Sequence, residues 1–476
     1  MFRAPLRLLA LVAGVACASA AQADTLADTL TLAYRNSGLL DQNRALLRAA
    51  DEDVAQAVSA LRPIVNWSAN IKQTRVVANY DAGSRVVPDG RGGAISVNYG
   101  SGANVTNETT ANIGISASLL LYDFGASQYG IDAAKELVLA TRQGLISAEQ
   151  NVLLRAVQAH MEVRRAHEVL ELRRSNVGLI QQELRAARDR FEVGEITRTD
   201  VSFAEARLAE ARAQVAAAEG DLARAREEYR AVTGQAPNRL SAGTPARIRQ
   251  TEDQAIAIAL RNHPAIIEVQ HNVAAAELNI KRAEAAMKPR AQLDAQMGVD
   301  QDWNMQQSLG LSISGPIYQG GGLSSRVRQA MARRDANRAG LHTTSAAIRQ
   351  QVSSAYAIMQ VTKLSIEASD TQVRAARTAF EGIREEAGLG SRTTLDVLDA
   401  EQSLLNARVG VVSAQIDQVI ASYNTLASMG QLTAQALQLP VQQYDPTAYY
   451  KLVEGAPTAR SEQGRALDRV LRSIGD

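Results

Sequence analysis

No proline occurs between Pro88 and Pro237, or between Pro316 and Pro440. Proline removes an amide donor and clashes with the preceding helical turn, so proline-free windows this long can hold uninterrupted helices. The first window is helix-forming from Ala126 to Phe191. About 65 residues of α-helix reach roughly 100 Å, far beyond what one globular domain accommodates.

After a glycine at position 194, the periodicity becomes countable. Val201, Leu208, Val215, Leu222 and Tyr229 repeat every seven residues, followed three positions later by Ala204, Ala211, Ala218, Ala225 and Val232. Large residues at one seam position and alanine at the other specify coiled-coil packing at close range. The second window repeats the design with Val397, Leu404 and Val411, and with Ala400, Ala407, Ala414 and Ala421. Its large series decays to Gln418 and Thr425, which predicts a weaker end to that seam. Aromatics make up only 4% of the chain, as a core of small residues requires.

The two windows belong to an internal duplication. Arg35-Asn36 recurs as Arg261-Asn262, Ala49-Ala50 as Ala275-Ala276 and Pro63 as Pro289, all 226 residues on. Further along the offset is 196: Gly114 matches Gly310, Tyr122 matches Tyr318, Gly194 matches Gly390, Thr197 matches Thr393 and Asp200-Val201 matches Asp396-Val397. The first half therefore carries about 30 additional residues between Pro63 and Tyr122, and their Gly/Asn/Ser-rich composition predicts a loop.

Between the first helix and the long helix of each half, apolar and polar residues alternate. Val65, Trp67, Ala69 and Ile71 interleave with Asn66, Ser68, Asn70 and Lys72; Ile113, Ile115, Ala117, Leu119 and Leu121 interleave with small polar residues. Ala291, Leu293, Ala295, Met297 and Val299, then Leu309, Leu311 and Ile313, repeat the pattern. Such segments are strands with one apolar and one wet face, as in a soluble sheet or an outer-membrane barrel. The remaining sequence is long helix and offers no separate core to cover them. Four strands cannot close a barrel, and open edges are not tolerated in lipid, so membrane strands would have to be pooled by several chains; three chains give twelve. Trp67, Tyr122, Phe124, Trp303 and Tyr318 fall in or beside the strands, where an interfacial aromatic belt would place them.

Residues 1–23 read as a secretory signal, with Arg3 and Arg7, an apolar stretch from Leu8 to Ala18, and Ala21-Gln22-Ala23 as the cleavage site. The only cysteine, Cys17, lies inside it, so the mature chain has no thiol chemistry. No apolar run is long enough for a transmembrane helix. A net charge of +1 gives nucleic acid no electrostatic hold. The resulting division is a signal at 1–23, a first repeat at 24–241, a second at 242–440 and a tail at 441–476. Strands are expected at about 64–80, 109–122, 290–300 and 307–318, with helical hairpins at 126–233 and 322–429. The tail is expected to be periplasmic, packed on the helices or partly disordered.

Helix, two strands and a helical hairpin, given twice after a signal peptide, resembles the TolC-like outer-membrane efflux proteins. The resemblance rests on "LLLYDFG" at 119–125, "GEITRTDV" at 194–201 and "GSRTTLDVLDAEQSLLNA" at 390–407. It implies a mainly α chain with membrane β structure: a homotrimer with a twelve-stranded barrel in the outer membrane of a Gram-negative bacterium and a long periplasmic helical barrel. Implied partners are a periplasmic adaptor, an inner-membrane pump or ABC exporter, and outer-membrane lipid. Neither enzymatic activity nor a cofactor is implied. By resemblance, Gly194 and Gly390 are adaptor-docking tips, Asp396 and Asp399 line a periplasmic gate, and Arg392, Thr199 and Asp200 belong to the polar network that closes it. One position departs from the pattern: an aromatic of that network corresponds here to Ala387.

Read without the resemblance, Asp396 and Asp399 share a helix face at the N-terminus, where the dipole favours acids. An acid/base pair would need a substrate cleft between separate elements, and a metal site further ligands; neither is suggested. "GGG" at 320–322 lacks the rest of a phosphate-loop pattern. Two other classes remain open: a trimeric coiled-coil adhesive or structural protein anchored by a small barrel, and a soluble periplasmic adaptor. Cargo identity is not encoded in any of these features.

Overall fold

The computed structural model describes residues 24–475; the proposed signal segment lies outside them. The elements in order are α1 (Leu26–Arg35), α2 (Gly38–Ser59), β1 (Ile64–Tyr80), β2 (Gly83–Pro88), β3 (Ala94–Tyr99), β4 (Gly102–Tyr122), α3 (Ala126–Glu192) and α4 (Arg198–Thr233). The second half follows with α5 (Glu252–Asn262), α6 (Pro264–Ala285), β5 (Arg290–Asp300), β6 (Met305–Ser314), α7 (Gly322–Gly388) and α8 (Thr394–Ser428). Two short helices, α9 (Pro446–Val453) and α10 (Glu462–Gly475), close the chain.

The duplication extends to the way helices start. Thr25 caps α1 through a reciprocal box with Asp28, and Thr251 caps α5 with Gln254. Thr197 and Asp200 do the same for α4, as do Thr393 and Asp396 for α8. In each box the threonine oxygen satisfies an orphan amide of the first turn while the acid or amide reaches back to the cap.

The chain divides into two units. One holds the chain up to Leu47, Thr141–Val269 and Gly340–Asp445. Within it, Ala204, Leu208, Ala211, Ala218, Leu222 and Tyr229 are buried along α4, so the heptad seam is its packed face. Val397, Leu404, Ala407, Ala414 and Ala421 are buried along α8. Thr425, expected to weaken that seam, is fully buried: its hydroxyl donates to the Ala421 carbonyl at 2.8 Å, which removes the cost of burying it. Burying Ser422, Ile416 and Val419 as well widens the seam at this end.

A buried polar chain ties α1, α3 and α4 together. The Ser241 carbonyl lies 3.1 Å from His160 Nε2, so Nε2 carries the proton and Nδ1 accepts from Thr29 Oγ1 at 2.8 Å. Thr29 Oγ1 in turn accepts from the Tyr229 hydroxyl at 3.1 Å.

The other unit holds Arg48–Ala140, Gln270–Ala339 and the chain from Pro446. Its antiparallel sheet has the order β1-β4-β5-β6, with β1 and β6 at the edges. The register gathers the alternating apolar residues into rows on one face: Val65–Ala117–Ala295–Leu309, Trp67–Ile115–Met297–Gln307, and Leu119–Leu293–Leu311. The opposite face carries rows such as Asn66–Ser116–Gln296–Ser308. Ile71, Ile113, Leu309, Leu311 and Ile313 are all exposed, so the apolar face is uncovered by the chain itself.

The region expected as a loop is partly strand. β4 begins at Gly102, and its first residues pair with β1 beyond the four-stranded sheet; β2 and β3 form a second hairpin beyond that. The Gly/Asn/Ser content masked a weak alternation through Ile95, Val97 and Tyr99. At the other end, β6 stops at Ser314, before Pro316, which cannot donate to the ladder. The tail is helical: Tyr449, Val453 and Leu467 cluster with Ala55 of α2, and the Tyr449 hydroxyl donates to Glu52 at 2.8 Å.

Candidate functional site

The two hairpin tips are built alike. Gly194 and Gly390 follow the ends of α3 and α7 with φ of 79° and 78°, a left-handed conformation that glycine adopts without penalty. The Gly194 amide donates to the Phe191 carbonyl at 3.0 Å and the Glu195 amide to Arg190 at 2.9 Å. In the second half the Gly390 amide donates to Ala387 at 3.2 Å and the Ser391 amide to Glu386 at 3.0 Å. These paired 5→2 and 6→1 bonds form a Schellman ending, and the threonine capping box starts the next helix three residues later. A Cβ at either glycine would meet open space. Beside them Val193 and Leu389 are exposed, Leu389 at 87%.

The candidate carboxylates lie on the first turns of α8. Asp396 Oδ2 accepts from the Thr393 amide at 2.9 Å and from its hydroxyl at 2.8 Å. These bonds, helped by the charge of Arg392, hold the Asp396 carboxyl below the usual aspartate range. Within one chain, capping by Thr393 is therefore the dominant influence on this carboxyl. Asp399 is exposed and accepts from Arg207 Nη2 of α4 at 2.6 Å; Arg207 also reaches Glu210 at 3.0 Å.

The polar-network residues are not joined to one another. Arg392 Nε donates to Glu386 Oε2 at 2.8 Å, and Asp200 Oδ2 accepts from the Thr197 hydroxyl at 2.7 Å. Among the described residues no hydrogen bond or ion pair connects Arg392 with Thr199 or Asp200. Ala387, at the departing position, is buried, and its carbonyl accepts from Arg190 Nη1 at 3.4 Å. Arg207, Glu386 and Arg190 were not singled out from the sequence. The half-repeat offset relates equivalent positions but does not say which faces of α4 and α8 meet, so it gives no signal for Arg207.

In the unit that holds the sheet, Tyr122 ends β4 and its ring lies 4.8 Å from that of Phe124, over which Lys288 Nζ sits at 5.1 Å. Tyr318 follows β6, at the same strand-to-helix end. Trp303 occupies the β5–β6 turn at the opposite end, with φ of 61°. Trp67 stands inside the apolar band rather than at either end of the strands.

Paired strands with an uncovered apolar face, long helical hairpins and the duplicated plan define an outer-membrane channel protein. The chain belongs to the Outer membrane efflux protein family, matched over residues 29–235 and 255–431. It is 35% identical over 443 residues to the outer membrane efflux protein BepC of Brucella suis, covering 91% of each chain. The outer membrane protein TolC of Vibrio cholerae is 26% identical over 387 residues, covering 76% of this chain and 87% of that one. In fold, the Campylobacter jejuni CmeC outer membrane channel superimposes with a TM-score of 0.71 at 16% identity, covering 91% of this chain and 90% of that one. The family is one of outer-membrane channels, not enzymes, and the expected fold class and efflux function are borne out at that level.

Proposed function

We propose that three copies of the chain pool their strands into one twelve-stranded pore and act as a passive exit duct. The observation that carries this reading is the four-stranded sheet, with its apolar rows on one face and β1 and β6 unpaired at its edges. In lipid every backbone group must be paired, so β1 of one copy has to meet β6 of the next. The helical hairpins form the periplasmic part of the duct. An inner-membrane pump or ABC exporter supplies the energy, and a periplasmic adaptor docks at the tips around Gly194 and Gly390. The relative named for efflux, similar over 91% of its length, supports export as the activity, with small molecules or unfolded proteins as the cargo.

Asp396 and Asp399 are the proposed gate. Around a threefold axis the two carboxylates of each copy become six, a ring that attracts cations and repels anions. Arg207 and Arg392 hold these acids in the closed arrangement, a task the resemblance assigns to Arg392, Thr199 and Asp200 together. The test is reconstitution in planar bilayers. Wild-type protein should conduct with cation preference and be blocked by multivalent cations, and Asp396→Ala/Asp399→Ala should lose both properties. Unchanged selectivity in the double variant would remove the ring from the mechanism, and a detergent-extracted monomer would remove the pooled barrel. A trimer that never conducts would favour the adhesive reading, and absence from the outer-membrane fraction would favour the soluble adaptor.

A further inference from the structure

Two turns into α8, Glu401 is buried, with only 3% of its surface exposed, and neither carboxylate oxygen has a hydrogen-bond partner. Leu398, Leu404 and Leu405, all buried, flank it on the same helix. The duplication explains how it came to be isolated. Its counterpart 196 residues earlier is Glu205, which pairs with Arg188 at 2.5 Å on an exposed surface. Arg188 corresponds to Arg384, so the second half retains both members of the pair. Arg384 nevertheless turns to Glu183 of α3, at 3.3 Å. Glu183 itself corresponds to Ala379, so only Arg384 faces this competing acid.

The charges that bear on Glu401 come from two other helices: Glu183 of α3, which opposes its ionisation, and Arg384 of α7, which favours it but is already engaged. A neutral carboxyl costs far less in an apolar helix interface than an ionised one without donors. Ionisation therefore has to draw Glu401 out of the interface, and α8 with it. The same helix carries Asp399 and Asp396 two and five residues nearer the tip.

We propose that Glu401 is a proton-binding site that seats the second hairpin: protonated, it keeps α8 packed against its neighbours, and ionised, it releases the start of α8 and loosens the tip. The inference rests on the channel reading for its effect on current, but not for its effect on packing. Burial, with Glu183 adding to it, pushes the Glu401 carboxyl up to about 7. A carboxyl raised in the seated state stabilises that state at low pH, and the stabilisation is lost as pH rises from the ordinary glutamate value of 4.5 toward about 7. Over that span one bound proton changes the ratio of seated to released hairpin by up to about tenfold per pH unit. Above it the response is flat. The capped Asp396, held below the aspartate range, does not titrate in this window.

The experiment measures two quantities on full-length protein between pH 5 and pH 8. The first is amide hydrogen exchange of residues 394–408 in detergent, corrected for the intrinsic pH dependence of exchange. The second is bilayer conductance. In the wild type, protection of this segment should fall and conductance rise as pH increases. Glu401→Gln, neutral at every pH, should hold both at their acidic values. Glu183→Gln frees Arg384 and should move the response to lower pH, whereas Glu205→Gln, at the equivalent site, should leave it unchanged. A Glu401→Gln protein that titrates like the wild type overturns the proposal, as does wild-type protection that stays constant across the range. Protection that responds to pH through Glu401 in a protein that carries no current would uphold the site while refuting the channel reading.

Discussion

Thr29→Val tests whether the buried chain Tyr229–Thr29–His160–Ser241 acts as a unit. Valine preserves shape but removes the hydroxyl that donates to His160 Nδ1 at 2.8 Å and accepts from Tyr229 at 3.1 Å. All three side chains are buried, so two polar groups lose their partner at once. Each buried unsatisfied group costs about 1–3 kcal/mol, so two of them place the expected loss at about 2–6 kcal/mol. Tyr229→Phe removes a donor and leaves the Thr29–His160 bond intact, so it should cost only about 1 kcal/mol. The informative protein is the double variant. With Thr29 already absent, deleting the stranded tyrosine hydroxyl relieves a penalty, so the double variant should be no less stable than Thr29→Val alone. Urea unfolding followed by circular dichroism at pH 8 measures all four corners of the cycle. Losses that simply add, within about 0.5 kcal/mol, would refute the linked chain. The pH dependence follows from the same geometry. Burial lowers the His160 pKa, so below its ordinary value of 6.5 the unfolded chain binds more protons than the folded one. The network's contribution is complete above that pH and declines as pH falls below it.

Three further outcomes are expected. Leu309→Arg places a charge in the apolar band and should lower the yield of membrane-inserted protein, at a cost of about 2–4 kcal/mol at mid-membrane depth; Ser308→Arg, one residue away on the wet face, should insert normally. Gly390→Ala should weaken the second tip by about 1–2 kcal/mol, because alanine pays for φ of 78° even in open space, and local hydrogen exchange would register it. Arg207→Ala should change global stability by less than about 1 kcal/mol, since its ion pair with Asp399 is solvent-exposed, while altering the closed-state current if Arg207 restrains the gate.

Much of the architecture is legible because the physics that sets it is local or periodic. Missing prolines and the heptads of α4 and α8 announce long paired helices, and strict alternation announces two-faced strands. Capping is local as well, and both tips follow from a glycine, a threonine and an aspartate at fixed spacing. Thr425 was misleading because its hydroxyl is satisfied by its own helix, so a polar residue could complete a buried seam. β2 and β3 were hidden by loop-like composition. Side-chain partners across helices were the least legible. Arg392, in the turn between α7 and α8, reaches back to Glu386, and Asp399 finds Arg207 on α4 through rotations about helix axes that no spacing rule records.

The tips invite one last consideration. Each turn between long helices is closed on both sides by bonds within a few residues: the Schellman pair behind the glycine and the threonine box ahead of it. Little backbone freedom remains for a partner to remove, so the docking proposed at the tips would carry a small ordering cost on this side. On the proposed docking role, such a surface would be presented ready-made, and affinity there would be decided by shape and by the exposed Val193 and Leu389 rather than by folding on contact.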